Sequence, residues 1–158
     1  MAKSKMAKSK AAKTIYVLNG PNLNLLGTRE PEKYGTATLA DVKKICAAAA
    51  KKRGHGIVFR QSNHEGDLVD WIQEAKRKKA AGIVINPAGY TTTSIAILDA
   101  LLAVKLPTYE IHITDIHKRE AFRHNSYIAM AATGSVVGHG VEGYAMAVDK
   151  VIAAAEKR

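Results

Sequence analysis

After the first dozen residues, the pattern of apolar and polar positions switches period repeatedly along the chain. Short apolar runs with strand character fall at TIYVLN (14–19), GIVFRQS (56–62), AGIVIN (81–86), PTYEIH (107–112) and GSVVG (134–138). Helical spacing fills the gaps. The first such stretch, TLADVKKICAAAAKKRG, opens at Thr38, suited to an N-cap, and closes at Gly54, suited to a C-cap. EGDLVDWIQEAKRKKAAG, TSIAILDALLAV with Thr93 or Ser94 as its cap, and VEGYAMAVDKVIAAAEK follow. Strands alternating with helices predict right-handed βαβ units and hence a parallel sheet. Val and Ile on both sides of each run predict helices over both faces of that sheet.

The fold class expected from this pattern is α/β: a flavodoxin-like three-layer sandwich on a five-stranded parallel sheet, with residues 14–158 as a single domain. Ligands of such sheets gather at the carboxyl ends of the strands, where the strand order reverses. The loop GPNLNLLGTREPEKYG, Gly20 to Gly35, leaves the first strand at that place, with Gly27 and Gly35 as candidate hinges for closure over a ligand. One connection breaks the rhythm. Ile113 to Thr133 holds only a weak helical patch, HKREAFRHNS, and long connections inside compact domains tend to be functional.

Composition narrows the partners. The 158 residues are 47% hydrophobic and 24% charged, as in ordinary globular chains. The formal net charge of +10 points toward nucleic acid, but Lys3, Lys5, Lys8, Lys10 and Lys13 supply half of it from the leading segment, which opens on a doubled MAKSK. Residues 1–13 read as a disordered Lys-rich tail. The remaining lysines suit solvated helix faces, and no aromatic-plus-basic ribonucleoprotein pattern occurs, so no nucleic-acid partner is expected. No apolar run reaches the roughly 18 residues of a membrane span, so no membrane partner is expected either. The leading segment lacks the apolar core of a signal peptide. Cys46, the single cysteine, suits a small core position and a reducing, cytoplasmic setting.

Polar residues collect at strand ends. Asn22, Arg29 and Tyr34 follow the first strand. Asn86 to Ser94, NPAGYTTTS, follow the third and open a helix whose free N–H groups favour an anion. His112, Ile113, Thr114, Arg119 and Arg123 follow the fourth. Three loops from neighbouring parallel strands make a crevice for a small, oxygen-rich, anionic ligand. A tyrosine on a mobile loop, five residues after an arginine, is a candidate base. Other signals are decoys. GHGVEG (138–143) matches G-x-G-x-x-G, but no second strand follows to bring an acidic residue to a ribose. No phosphate loop and no G-x-S-x-G elbow occur. His112 and His117 are not at metal-ligand spacing, so no metal is expected.

GPNLNLLGTREPEKYG, RQSNHEGDLVDWI, INPAGYTTTS, EIHITDIHKREAFRHNS and ATGSVVGHGVEGY, in this order, resemble the type II 3-dehydroquinate dehydratases from Ile15 onward. The resemblance implies a cofactor-free lyase that removes water reversibly from 3-dehydroquinate to give 3-dehydroshikimate, by anti elimination through an enolate. It also implies a homo-oligomer, trimers assembling to a dodecamer. Tyr34 matches the base. A tyrosine with the ordinary pKa near 10 is only about 0.1% ionised at pH 7, so the role calls for nearby cations. Arg29, and after it Arg119, match the family arginines that serve there. Asn22 matches the residue that stabilises the enolate oxygen. His112 matches the general acid and Glu110 its support. Ile113 and Thr114, through backbone N–H groups, and the Asn86 amide match the carboxylate site; Arg123 matches the ligand of a ring hydroxyl. Asp99 matches a residue contributed across the trimer interface.

Three positions depart from that pattern. Thr92 stands where the family usually has a histidine touching the substrate ring, and a threonine is shorter and never charged. Leu98 stands where arginine is common. Asp115 stands where asparagine is common, adding negative charge near the carboxylate site. These departures imply retained activity with a raised KM. The alternative is a repurposed or inactive family member with altered substrate specificity.

Overall fold

The computed structural model describes residues 13–158, so the expected disordered tail falls, except for Lys13, outside the described residues. Five strands form one parallel sheet: β1 (Thr14–Asn19), β2 (Gly56–Gln61), β3 (Gly82–Asn86), β4 (Thr108–His112) and β5 (Gly134–Val137). Their order is β2-β1-β3-β4-β5, which is the flavodoxin-like order. Asn19 pairs with Gln61 on one side and Asn86 on the other, so three polar side chains end their strands at one level.

The helices are α1 (Pro31–Tyr34), α2 (Leu39–Lys52), α3 (Glu65–Arg77), α4 (Ile95–Val104) and α5 (Gly143–Glu156). Successive strand side chains point to opposite faces, and both sets here are apolar. Ile15, Val17, Val84 and Ile111 join Val42, Cys46, Val148 and Ile152 under α2 and α5. Tyr16, Leu18, Ile83 and Ile85 join Leu68, Ile72, Ile97 and Leu101 under α3 and α4. Two cores sandwich the sheet, leaving only its strand ends free to carry chemistry.

The helix boundaries follow local chemistry. Thr38 caps α2 as expected: its Oγ1 accepts the Asp41 N–H at 3.2 Å, while Asp41 accepts the Thr38 N–H at 3.0 Å. Arg53 takes the C-cap position expected of Gly54, and Gly54 follows at φ +72°. Between Thr93 and Ser94, the cap of α4 is Ser94, whose Oγ accepts the Ile97 N–H at 2.9 Å. Helix α3 stops at Arg77 because Lys79 turns left-handed at φ +55°.

Two expectations are corrected. NPAGYTTTS does not simply open a helix; a 3-10 turn, Ala88–Thr92, stands between β3 and α4. The patch HKREAFRHNS is not one helix. It folds into separate 3-10 turns, Ile116–Lys118 and Ala121–Arg123, with a third at Ile128–Met130. An apolar stripe is missing there, so no face exists to anchor a longer helix.

Candidate active site

At the carboxyl edge of β1, β3 and β4 lies a crevice of about 250 Å³. Its walls come from the three expected loops. The β1 loop gives Asn22, Arg29 and Tyr34; the β3 turn gives Asn86, Thr91 and Thr92; and the β4 loop gives His112, Ile113, Thr114, Arg119 and Arg123. Gly20 sets the β1 and β3 loops in contact. Its N–H donates to the Asn86 carbonyl at 2.8 Å, and a Cβ there would stand 2.5 Å from the Pro87 oxygen. Only glycine lets these loops approach so closely.

The loop that carries Tyr34 is held from two sides. Arg119 Nη1 donates to the Tyr34 hydroxyl at 2.9 Å, and the Arg29 guanidinium lies 5.4 Å from the ring centre. Both guanidiniums lie over the ring, Arg119 at 5.9 Å from its centre, and Arg119 in addition bonds the oxygen. Asn22 sits at φ +69°, and its N–H donates to Asn63 Oδ1 at 3.0 Å. Left-handed backbone at a non-glycine residue costs about 1 kcal/mol and asparagine bears it best.

At the carboxyl end of β4, Glu110 and His112 are both buried. Their side chains point the same way because they are two apart on β4. His112 Nε2 donates to Glu110 Oε1 at 2.6 Å. The carboxylate also accepts from Ser126 at 2.6 Å and from Ser135 at 3.3 Å. A carboxylate engaged at both oxygens fixes the imidazole and leaves Nδ1 for the crevice.

The remaining expected residues divide. Asn86 Oδ1 accepts the Ala88 N–H at 3.2 Å, and its Nδ2 donates to Tyr144 at 2.9 Å. Arg123 Nε donates to Glu120 at 2.6 Å. The Glu120 carboxyl is held below the usual carboxylate range by its own backbone N–H first and then by that guanidinium. Asp99 stands exposed on α4, outside the walls of the crevice within a single chain. The amino end of α4 does not line the crevice either, so the N–H groups available to an anion are those of the loops. Asp115 spends its charge locally, accepting the His117 N–H at 3.0 Å. Among the described residues, no cluster of three His, Cys, Asp or Glu side chains could hold a metal. No described helix is long and apolar enough to cross a membrane.

Sequence reasoning gave no role to Asn63, Ser126, Thr91 or Tyr144. All four lie inside quoted motifs, Asn63 in RQSNHEGDLVDWI, Thr91 in INPAGYTTTS, Ser126 in EIHITDIHKREAFRHNS and Tyr144 at the end of ATGSVVGHGVEGY, a signal that was there to use. Thr91 Oγ1 is buried with no hydrogen-bond partner among the described residues.

Comparison with known proteins agrees with this geometry. The family model described as dehydroquinase class II matches residues 13–152. A 3-dehydroquinate dehydratase of Phenylobacterium zucineum is 62% identical over 138 residues, 87% of this chain and 94% of that protein. One from Acidovorax ebreus is 59% identical over 141 residues, covering 87% and 95%. The crystal structure of the type II dehydroquinase from Butyrivibrio crossotus superimposes with a TM-score of 0.86 at 42% identity, covering 89% of this chain and 97% of that one. The enzyme from Propionibacterium acnes gives 0.85 at 39% identity, covering 90% and 97%. With the crevice, its two hydrogen-bonded pairs and these similarities in agreement, the chain belongs to the class II dehydroquinase family.

Proposed function

We propose that this crevice removes water from 3-dehydroquinate to give 3-dehydroshikimate, with Tyr34 as base and His112 as acid. The observation that carries the reading is that Tyr34, held by Arg119, and His112, held by the buried Glu110 behind it, line one crevice. A reversible elimination needs such a division: one group takes a proton beside the ketone, and another gives a proton to the departing hydroxyl. Tyr34 takes the proton from carbon, and the electrons move into the carbonyl. Asn22 stabilises the enolate oxygen, a task for a fixed dipole. As the enolate collapses, the C–O bond breaks and His112 protonates the hydroxyl, which leaves as water. Arg119 and Arg29 stabilise the negative charge that the base role places on Tyr34, and Glu110 supports the charged imidazole. This sequence uses no metal or organic cofactor.

Binding divides among the remaining residues. The substrate carboxylate takes the N–H groups of Ile113 and Thr114 and the Asn86 amide. Arg123 and Thr92 meet the ring hydroxyls. Asp99 reaches the site of a neighbouring subunit in a trimer, and four trimers form a dodecamer. The exposed Ile95 and Leu102 on the same helix support that role, since an assembly buries them. The single cysteine, free and buried, suits a cytoplasmic enzyme.

The test follows the ultraviolet absorbance of the conjugated enone in 3-dehydroshikimate. The parent turns over 3-dehydroquinate, and Tyr34→Phe loses about 10² to 10⁴ in kcat. A folded, oligomeric parent without turnover would refute the reading and leave Thr92 as the mark of an altered substrate specificity.

A further inference from the structure

We infer that Tyr144 is a positioning residue for the substrate: a directional run of hydrogen bonds through its hydroxyl decides which end of the Asn86 amide is presented to the carboxylate. The inference rests on the reading of Asn86 as a carboxylate donor.

The two ends of an asparagine amide have nearly the same shape and opposite polarity, so packing alone does not choose between them. Here the backbone chooses. At the edge of β1, the Arg60 carbonyl can only accept, and Asn19 Nδ2 donates to it at 3.1 Å. Asn19 Oδ1 therefore faces inward, where the Tyr144 hydroxyl donates to it at 2.7 Å. With its proton committed, that hydroxyl has only lone pairs left for its other neighbour. Asn86 must turn its amino group there, and Nδ2 donates at 2.9 Å. At the far end the Ala88 N–H, which can only donate, meets Asn86 Oδ1 at 3.2 Å. Two backbone groups of fixed polarity close the run, and both demand the same direction.

Burial makes the choice firm. Tyr144 and Asn19 are fully buried, Asn86 is nearly so, and neither Tyr144 nor Asn19 lines the crevice. A reversed amide would set acceptor against acceptor or donor against donor at the buried Tyr144 hydroxyl. Burial also pushes the Tyr144 phenol above its ordinary value, so the proton that sets the direction stays in place. Asn86 Nδ2 donates to no other partner among the described residues, which leaves its second N–H for a ligand anion. A phenylalanine would fill the same space without passing on any polarity.

Tyr144→Phe tests the relay in the full-length enzyme. A binding contact equal in ground and transition states appears in KM alone, so KM is expected to rise about tenfold with kcat within about threefold. In an Asn86→Ala background the same change is expected to add nothing further, because the tyrosine acts through Asn86. Asn19→Leu leaves the tyrosine in place but frees its proton, and it carries the same expectation should Tyr144→Phe fail to fold. A KM unchanged in an active, folded variant would overturn the relay alone, as would a full second effect in the Asn86→Ala background. No turnover by the parent would overturn the underlying reading and the relay with it.

Discussion

Replacing Glu110 by glutamine removes one charge from the Glu110–His112 pair while keeping its shape. Glu110 is 1% exposed and meets His112 at 2.6 Å. With charge centres about 4 Å apart and an effective dielectric near 20, the attraction to a charged imidazole is about 4 kcal/mol. That figure is an upper bound, since the carboxylate keeps Ser126 and Ser135 as donors in either state. Net values for hydrogen bonds to charged groups run at about 1.5–3 kcal/mol. The expected loss is therefore about 10- to 150-fold. Steric cost is small: Gln Oε1 keeps His112 and Ser126, and its amino group meets the Ser135 hydroxyl, which can turn to accept. In the proposed elimination the interaction matters most as His112 engages the departing hydroxyl, so kcat and kcat/KM should fall together with KM little changed. Enone absorbance at saturating substrate, with circular dichroism to establish folding, makes the measurement. A kcat within threefold of the parent would refute the reasoning. So would a rise confined to KM, which would make Glu110 a binding group.

Other perturbations probe separate parts of the molecule. Thr92→His places at the crevice wall the imidazole that the resemblance expects there; one hydrogen bond at about 1 kcal/mol should raise kcat/KM about fivefold, and no gain would show that the pocket has adapted to threonine. Thr38→Ala removes the α2 cap and should cost about 1 kcal/mol in denaturant unfolding. The N–H and hydroxyl of Thr38 hold the Asp41 carboxyl below its ordinary 3.8, so the stability it contributes is present above that pH and lost as pH falls below it. The gap in melting temperature between the parent and Asp41→Asn should accordingly close on going from pH 7 to below pH 3. Burial pushes the Cys46 thiol up to about 12, so a thiol reagent at pH 8 should label the unfolded chain at once and the native protein negligibly. Rapid native labelling would contradict the packing under α2.

Strand positions were legible because β-branched residues on both faces leave little choice of period. The strands end within a residue of the apolar runs that announced them. The residues of the site were legible as types at strand ends, but their partners were not. Arg119 meets Tyr34 across 85 residues of chain, and no local spacing could rank it above Arg29, which is five positions from the tyrosine. Tyr144 reads locally as one apolar position of a helix; its meaning comes from two asparagines on other strands. The connection after β4 supplies crevice residues as expected, but its weak helical patch resolves into separate turns, held by contacts such as the Asp115 cap and the Arg123–Glu120 pair rather than by a buried stripe. Asp99 is legible only by resemblance, since a single chain keeps it away from the crevice.

The bond between Arg119 and the Tyr34 hydroxyl works as a latch for the whole β1 loop, most of whose residues from Thr28 to Ala37 are open to solvent. An anion reaching Arg119 competes with the phenol for the same guanidinium. Inhibitors should then sort into two kinetic kinds. Those that leave the latch intact are enclosed and must wait for the loop to open before departing, giving long residence times. Those that capture Arg119 spring it, bind a site with an open rim, and exchange quickly however well they fill the space.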